Sequence, residues 1–207
     1  MSSITAVLSL VIAYLSGSIP SAYIVGRMYG FDIRNVGDRN VGTFNVFRHA
    51  GLAAGIITLV ADVGKGVLAI AVAKALSGNQ WVIFSAGIAA VAGHNWSVFL
   101  RFRGGRGAGV IIGVLFVLLS REIAIALVLA IVVLFITRNS IWSAMALFVP
   151  VPLLCLLFRE PVSLPIYSAA LSCLSGLTHW LTTRHLPPEA KKEAASFWIA
   201  RRPSQER

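Results

Sequence analysis

Gly93-His94-Asn95-Trp96-Ser97-Val98-Phe99-Leu100-Arg101-Phe102-Arg103-Gly104-Gly105-Arg106-Gly107 closes one apolar run and opens, through arginines laced with glycines, directly into another. Glycines let backbone N–H groups come close to an anion, guanidiniums supply forked charge-assisted bonds, and the run after Gly107 offers a helix N-terminus aimed at the same spot. The stretch therefore reads as a phosphate trap at a membrane surface. It is not a nucleotide-binding P-loop, because the spacing that ends in Gly-Lys-Ser/Thr is absent.

Working outward, 57% hydrophobic and only 13% charged residues, with a mean hydropathy of +0.80 over 207 residues, leave no soluble domain of useful size. The chain reads as an all-α, polytopic membrane protein. Apolar runs predict spans near 4–24, 51–76, 81–100, 108–120, 123–136, 141–158 and 164–183. Seven is the favoured count, with five or six as alternatives, because the fourth and fifth runs fall short of the roughly 20 residues a perpendicular helix needs. Met1 to Ala22 has no basic leader ahead of its apolar part, so it reads as a retained first helix and not as a cleaved signal. Residues 1–186 form the membrane domain and 187–207 a basic tail.

The net charge of +10 is distributed unevenly. With seven spans, Arg27, Arg34, Arg39 and Arg48 share a side with Arg101, Arg103, Arg106, Arg138, Arg184 and the tail cations. The other side keeps little beyond Arg121 beside Glu122, Arg159 beside Glu160, and Lys74. The positive-inside bias then places the N-terminus outside and the C-terminus in the cytoplasm. The same charge attracts anionic membrane lipids. Nucleic acid is excluded as a partner, since the aromatics lie within apolar runs and are not interleaved with the basic residues. Cys155 and Cys173 sit inside spans and build no disulfide framework. Scattered histidines and only eight carboxylates predict no metal site and no cofactor.

The connection from Gly26 to Arg48 exceeds twenty residues and is rich in glycine, asparagine and arginine, with Phe31, Ile33, Val36, Val41, Phe44 and Val46 as apolar anchors. A loop of that length in a compact membrane protein calls for a purpose. Together with the turns at Thr137-Arg138-Asn139-Ser140 and Thr182-Thr183-Arg184-His185, the two loops converge on a cytoplasmic site lined by donors and suited to anions. The bland alternative is a surface linker whose asparagines make turn bonds inside the loop. Ser140 and Ser143, three apart on one helix face, would bond a phosphate or cap the helix. Asp62 and Lys65, one turn apart within a span, read as a structural ion pair, and His94 as a donor bracing the loop.

Gly17-Ser18-Ile19-Pro20, then Asp32-Ile33-Arg34 with Gly37, Asn40, Gly42, Asn45 and Arg48, then Gly93-His94 with Phe99-Leu100 and the Phe102 to Gly107 loop, resemble the bacterial acyl-phosphate:glycerol-3-phosphate acyltransferases. Asp62 with Lys65-Gly66, and Ser140-Ile141-Trp142-Ser143, extend the likeness over most of the chain. The resemblance implies a seven-helix enzyme of the bacterial inner membrane. It would move a fatty acyl group from acyl phosphate to the sn-1 hydroxyl of glycerol 3-phosphate, releasing lysophosphatidic acid and phosphate. It implies substrate contacts from Asn40, Gly42, Asn45, Arg48, Arg103, Gly104, Gly105, Arg106, Gly107, Ser140, Ser143 and His185, with Arg106 and His185 closest to the chemistry. The chain departs from the family where Asp38-Arg39 replace small residues, where Arg103 and Arg106 replace lysines, and where Pro188 replaces the asparagine of a His-x-x-Asn motif. Two other readings remain open, a paralogue that binds acyl phosphate or phospholipid without this turnover, and a small anion transporter.

Overall fold

The computed structural model describes residues 3–196, and every regular element in them is helical. In order these are α1 Ser3–Ser18, α2 Ser21–Met28, α3 Thr43–Ala50, α4 Leu52–Leu76, α5 Gln80–Asn95, α6 Ala108–Leu118, α7 Ser120–Thr137, α8 Ser140–Phe148, α9 Pro150–Leu157, α10 Ser163–Thr183 and α11 Pro188–Ala195. α1 and α2 form one passage interrupted at Pro20, which has no N–H to give. The carbonyl of Ser18, left over at that break, is taken by the Ser97 hydroxyl from the second loop. Sequence and packing thus meet at this point: the kink in the first passage is clamped to the segment that carries the arginines.

Small residues let the passages touch backbone to backbone. A side chain at Gly17 or Gly93 would collide with the facing backbone of α5 or α1, at the carbonyls of Ala90 and Tyr14, and one at Gly66 or Gly113 would collide with α6 or α4, at Val110 and Val63. Close approach through small residues is how helices associate where lipid removes the hydrophobic drive between them. α6 is the innermost element, with Val110, Ile111, Val114 and Leu115 wholly buried. Large apolar side chains such as Val60, Val128, Ile136 and Leu157 face outward instead, as a lipid-bathed exterior requires.

The turns gather at two ends. At one, Gln80 Nε2 donates to Ser163 Oγ at 2.9 Å, and the Arg121 guanidinium reaches Glu122 at 2.9 Å and Glu160 at 3.2 Å while lying 3.7 Å over the Phe158 ring. At the other, the loops after α2, α5, α7 and α10 meet. Among the described residues, five segments are long and apolar enough to cross a membrane: Ser3–Met28, Leu52–Leu76, Gln80–Leu100, Ser120–Thr137 and Ser140–Leu157. The expected fourth run is a helix of only 11 residues, about 16 Å long, and the chain breaks at Leu119 so that Arg121 and Glu122 lie in the first turn of α7. The last run, α10, has the length but is diluted by serine, threonine and histidine.

Candidate active site

The first loop is built around Asn45. Its buried side-chain amide donates to the carbonyls of Ile33 at 3.3 Å, Val36 at 3.1 Å and Asn40 at 3.0 Å. Its donors thus go to turn bonds within the loop, which fixes the path of residues 33–40. Asp32 starts a short 3₁₀ turn by accepting from the Arg34 N–H at 3.0 Å and clasps the Arg34 guanidinium at 2.6 Å. That clasp lowers the Asp32 carboxyl to a pKa of about 2. Ile33, Val41 and Val46 are buried anchors, whereas Phe44 turns outward. Gly42 is the extended residue from which α3 begins.

The second loop is pinned to the end of α5. Gly104 N–H donates to the Asn95 carbonyl and Gly105 N–H to the His94 carbonyl, both at 3.1 Å. These two amides, expected to hold a phosphate, are therefore spent on the last carbonyls of α5, which would otherwise be orphaned. The glycines serve contact: a side chain at Gly105 would strike the His94 ring. Behind that ring, His94 Nδ1 lies 3.6 Å from Asp62 Oδ1, which also receives Lys65 Nζ at 2.7 Å and Ser21 Oγ at 2.9 Å. This buried network braces the loop from below. Gly107 adopts φ +81 and leaves the N-terminus of α6 without a side-chain cap.

Arg103 and Arg106 part company. Arg103 is exposed and lines, with Arg34, Phe99, Leu100 and Arg101, an open cleft of about 480 Å³ that Arg106 does not line. Arg106 turns inward, its Nε donating to Thr182 Oγ1 at 3.1 Å and its Nη2 lying 2.9 Å from Asp38 Oδ2. Asp38 Oδ1 in turn faces Arg48 Nη2 at 3.3 Å, with Arg48 only 2% and Asp38 only 4% exposed. Two cations thus share one carboxylate in a nearly dry setting. Arg106 Nη2 and Asp38 Oδ2 are paired as ions, whereas the buried Arg48 Nε has no hydrogen-bond partner, so the cluster keeps an unspent donor. Burial presses both guanidinium pKa values down from the ordinary arginine value, and the facing Asp38 pushes them back up. His179 on α10 is half-buried within range of the charges on both Arg106 and Asp38.

The C-terminal segment folds back over this end. Pro188 occupies the first turn of α11, where a proline's fixed φ and missing N–H are harmless. The Ser196 carbonyl accepts from Arg48 Nη1 at 2.8 Å, and Ser140 Oγ lies 3.0 Å from the Ala194 carbonyl and 3.2 Å from that of Ala195. Asn139 pairs with Ser196 through an isolated antiparallel bridge, and His49 Nε2 stands 3.6 Å from Glu193. Ser143 donates to the Ala130 carbonyl at 2.9 Å and so ties α8 to α7. The structure therefore brings Arg48 and Arg106 together on Asp38, with Ser140 joined to Arg48 through the end of α11, while His185 is exposed beyond the end of α10. Residues 197–207 of the expected tail lie outside the described residues. Sequence reasoning did not assign Asp38 as the shared counter-ion, nor Asn95, Thr178 or His179. The available signals were the carboxylate beside Gly37 and the Thr178/Thr182 pair, four apart on one helix face.

Residues 7–187 match the family described as glycerol-3-phosphate acyltransferase. Among its relatives, glycerol-3-phosphate acyltransferase 2 of Moorella thermoacetica is 41% identical over 155 residues, 74% of this chain and 79% of that protein. Glycerol-3-phosphate acyltransferase 4 of Dehalococcoides mccartyi is 38% identical over 179 residues, 86% of this chain and 96% of that one. The crystal structure of PlsY, an integral membrane glycerol 3-phosphate acyltransferase, in its glycerol 3-phosphate form superposes with a TM-score of 0.79 at 28% identity, covering 86% of this chain and 90% of PlsY. Its lysophosphatidic acid form gives 0.76 at 25% identity, covering 90% and 98%.

Proposed function

The chain belongs to the glycerol-3-phosphate acyltransferase family, and from that premise we propose that its acyl donor is acyl phosphate and that Arg48 and Arg106 hold the phosphoryl groups during transfer. The acylated position is the sn-1 hydroxyl, and the products are lysophosphatidic acid and inorganic phosphate. The observation that carries this reading is the buried Arg48–Asp38–Arg106 cluster with hydrogen-bonding capacity to spare. A site for two phosphates needs more positive than negative charge, and here two guanidiniums face one carboxylate.

In the reaction the sn-1 oxygen bonds to the acyl carbonyl carbon and the bond from that carbon to the phosphate oxygen breaks. Phosphate is a good leaving group, so the demand on the protein is neutralising charge as two anions meet. A phosphate oxygen, with a second pKa of about 6, accepts the hydroxyl proton; His185 is the alternative base. Asp38 holds the two arginines apart until a substrate phosphate takes over its contacts. Asn45 shapes the first loop and Asn40 and Gly42 border the cluster, Gly104 and Gly105 lock the second, Gly107 leaves α6 open, and Ser140 and Ser143 complete the wall. Arg103 serves at the rim, where a phosphorylated lipid would enter from the bilayer. On this reading the protein lies in the bacterial inner membrane with seven spans, the N-terminus outside and this site at the cytoplasmic face, which the clustering of arginines at the loop end supports.

The test is phosphate release from palmitoyl phosphate by the protein purified in detergent, with and without glycerol 3-phosphate. Release should depend on glycerol 3-phosphate and match lysophosphatidic acid formed one for one. Equal release without the acceptor would mean hydrolysis, and acylation only from a thioester donor would overturn the choice of donor.

A further inference from the structure

Asn95 closes α5 directly beneath the second loop and is 5% exposed, yet neither its Oδ1 nor its Nδ2 has a hydrogen-bond partner. Buried side-chain amides are ordinarily paired, so an orphaned one points to something that binds there. It faces a small cavity of about 60 Å³ lined also by Trp96, Gly105, Thr178, Leu181 and Thr182. Thr182 receives the Nε–H of Arg106 at 3.1 Å, so this cavity begins one residue away from the arginine cluster. Gly107 keeps it open, because a side chain there would come within 2.8 Å of Asn95 Oδ1.

We propose that Asn95, with the hydroxyls of Thr178 and Thr182, forms a neutral subsite that recognises the secondary hydroxyl of the acceptor's glycerol backbone. The inference rests on Arg106 holding the acceptor phosphate. An alcohol donates one hydrogen bond and accepts others, and a carboxamide offers the matching acceptor and donor. The threonine oxygens add acceptor capacity, although their hydrogens already go to helix carbonyls. Trp96 and Leu181 give the cavity apolar walls, and no charged side chain lines it, which disfavours a second phosphate. A cavity of this size takes a hydroxyl-bearing carbon or about two waters. Seated there, the secondary hydroxyl orients the glycerol backbone and leaves the sn-1 hydroxyl as the free nucleophile.

The experiment compares glycerol 3-phosphate with 3-hydroxypropyl phosphate, which lacks only the secondary hydroxyl, in the full-length protein and in Asn95→Ala. The unmodified protein should prefer glycerol 3-phosphate in kcat/KM by on the order of tenfold to a hundredfold, as expected where a site is built to pair a substrate hydroxyl. In Asn95→Ala the ratio should fall to near one, through loss on glycerol 3-phosphate alone, with the KM for palmitoyl phosphate unchanged. Should Asn95→Ala not fold, Asn95→Ser, smaller but polar, should lower the ratio part of the way. A ratio unchanged in the variant, or no preference in the unmodified protein, overturns the subsite and leaves Asn95 as a seat for water. Failure of the underlying reading shows differently, as an unmodified protein that acylates neither acceptor, and that result overturns both.

Discussion

Asp38 is the residue on which the anion site turns. Its carboxylate lies between Arg48 and Arg106, where a substrate phosphate would be drawn, so it both steadies the arginines and competes with the ligand. Replacing it leaves two buried cations facing each other, and breaking a buried pair costs about 3–5 kcal/mol. An anion should restore that loss by binding the folded state. Asp38→Ser is therefore expected to unfold at lower temperature in phosphate-free detergent, to gain more than the unmodified protein from added phosphate, and to show a lower KM for glycerol 3-phosphate. An unchanged response to phosphate would mean that Asp38 is only a structural counter-ion. Arg106→Ala should lose about ten- to a hundredfold in kcat/KM, the equivalent of one charge-assisted bond of roughly 1.5–3 kcal/mol, while Arg106→Lys keeps the charge and part of the rate but not the fork to Asp38 and Thr182. Full activity of the alanine variant would remove Arg106 from the site.

Among the elements, α11 shows most clearly how a local sequence signal acquires a tertiary role. Pro187-Pro188 ends the passage of α10 and starts a new helix, which packs over the arginine cluster and presents its final carbonyls to Ser140 and Arg48. The grip consists of hydrogen bonds of about 1 kcal/mol each, so it is reversible. Ser140→Ala removes the hydroxyl contact to Ala194 and Ala195 without touching Arg48. We expect trypsin to cleave that variant several-fold faster after Lys191 and Lys192, and a chain ending at Leu186 to lose activity because Arg48 loses one of its two fixed partners. Equal cleavage rates would show that α11 is held by other contacts.

At the scale of the whole molecule, the two ends carry different chemistry. One end holds Arg34, Arg48, Arg101, Arg103 and Arg106 around the loops, and the other holds Arg121 matched by Glu122 and Glu160. That asymmetry predicts that a reporter fused after Arg207 is cytoplasmic and one inserted at Asn79 is periplasmic. Finding both on one side would rule out an odd number of crossings between them. The short α6 is tolerated because it is enclosed by protein, so its ends need no lipid-matched length.

The class of the molecule was legible in the sequence because hydropathy and charge bias act residue by residue: apolar runs of sufficient length must be helices in lipid, and the arginines mark one side. The arginine-glycine loop, the long first loop and the Asp62–Lys65 pair could be read for the same reason, since each is local. What the sequence could not supply is which donors remain free. Gly104 and Gly105 look like phosphate donors until α5 is seen to end against them, Arg103 and Arg106 look equivalent until one turns out to a cleft and the other in to Asp38, and Asn95 looks like the tail of a span until its amide is found buried and unpaired. Hydrogen-bond saturation is a property of neighbours brought together from distant parts of the chain, and only the packing of α3, α5, α10 and α11 around the two loops decided it.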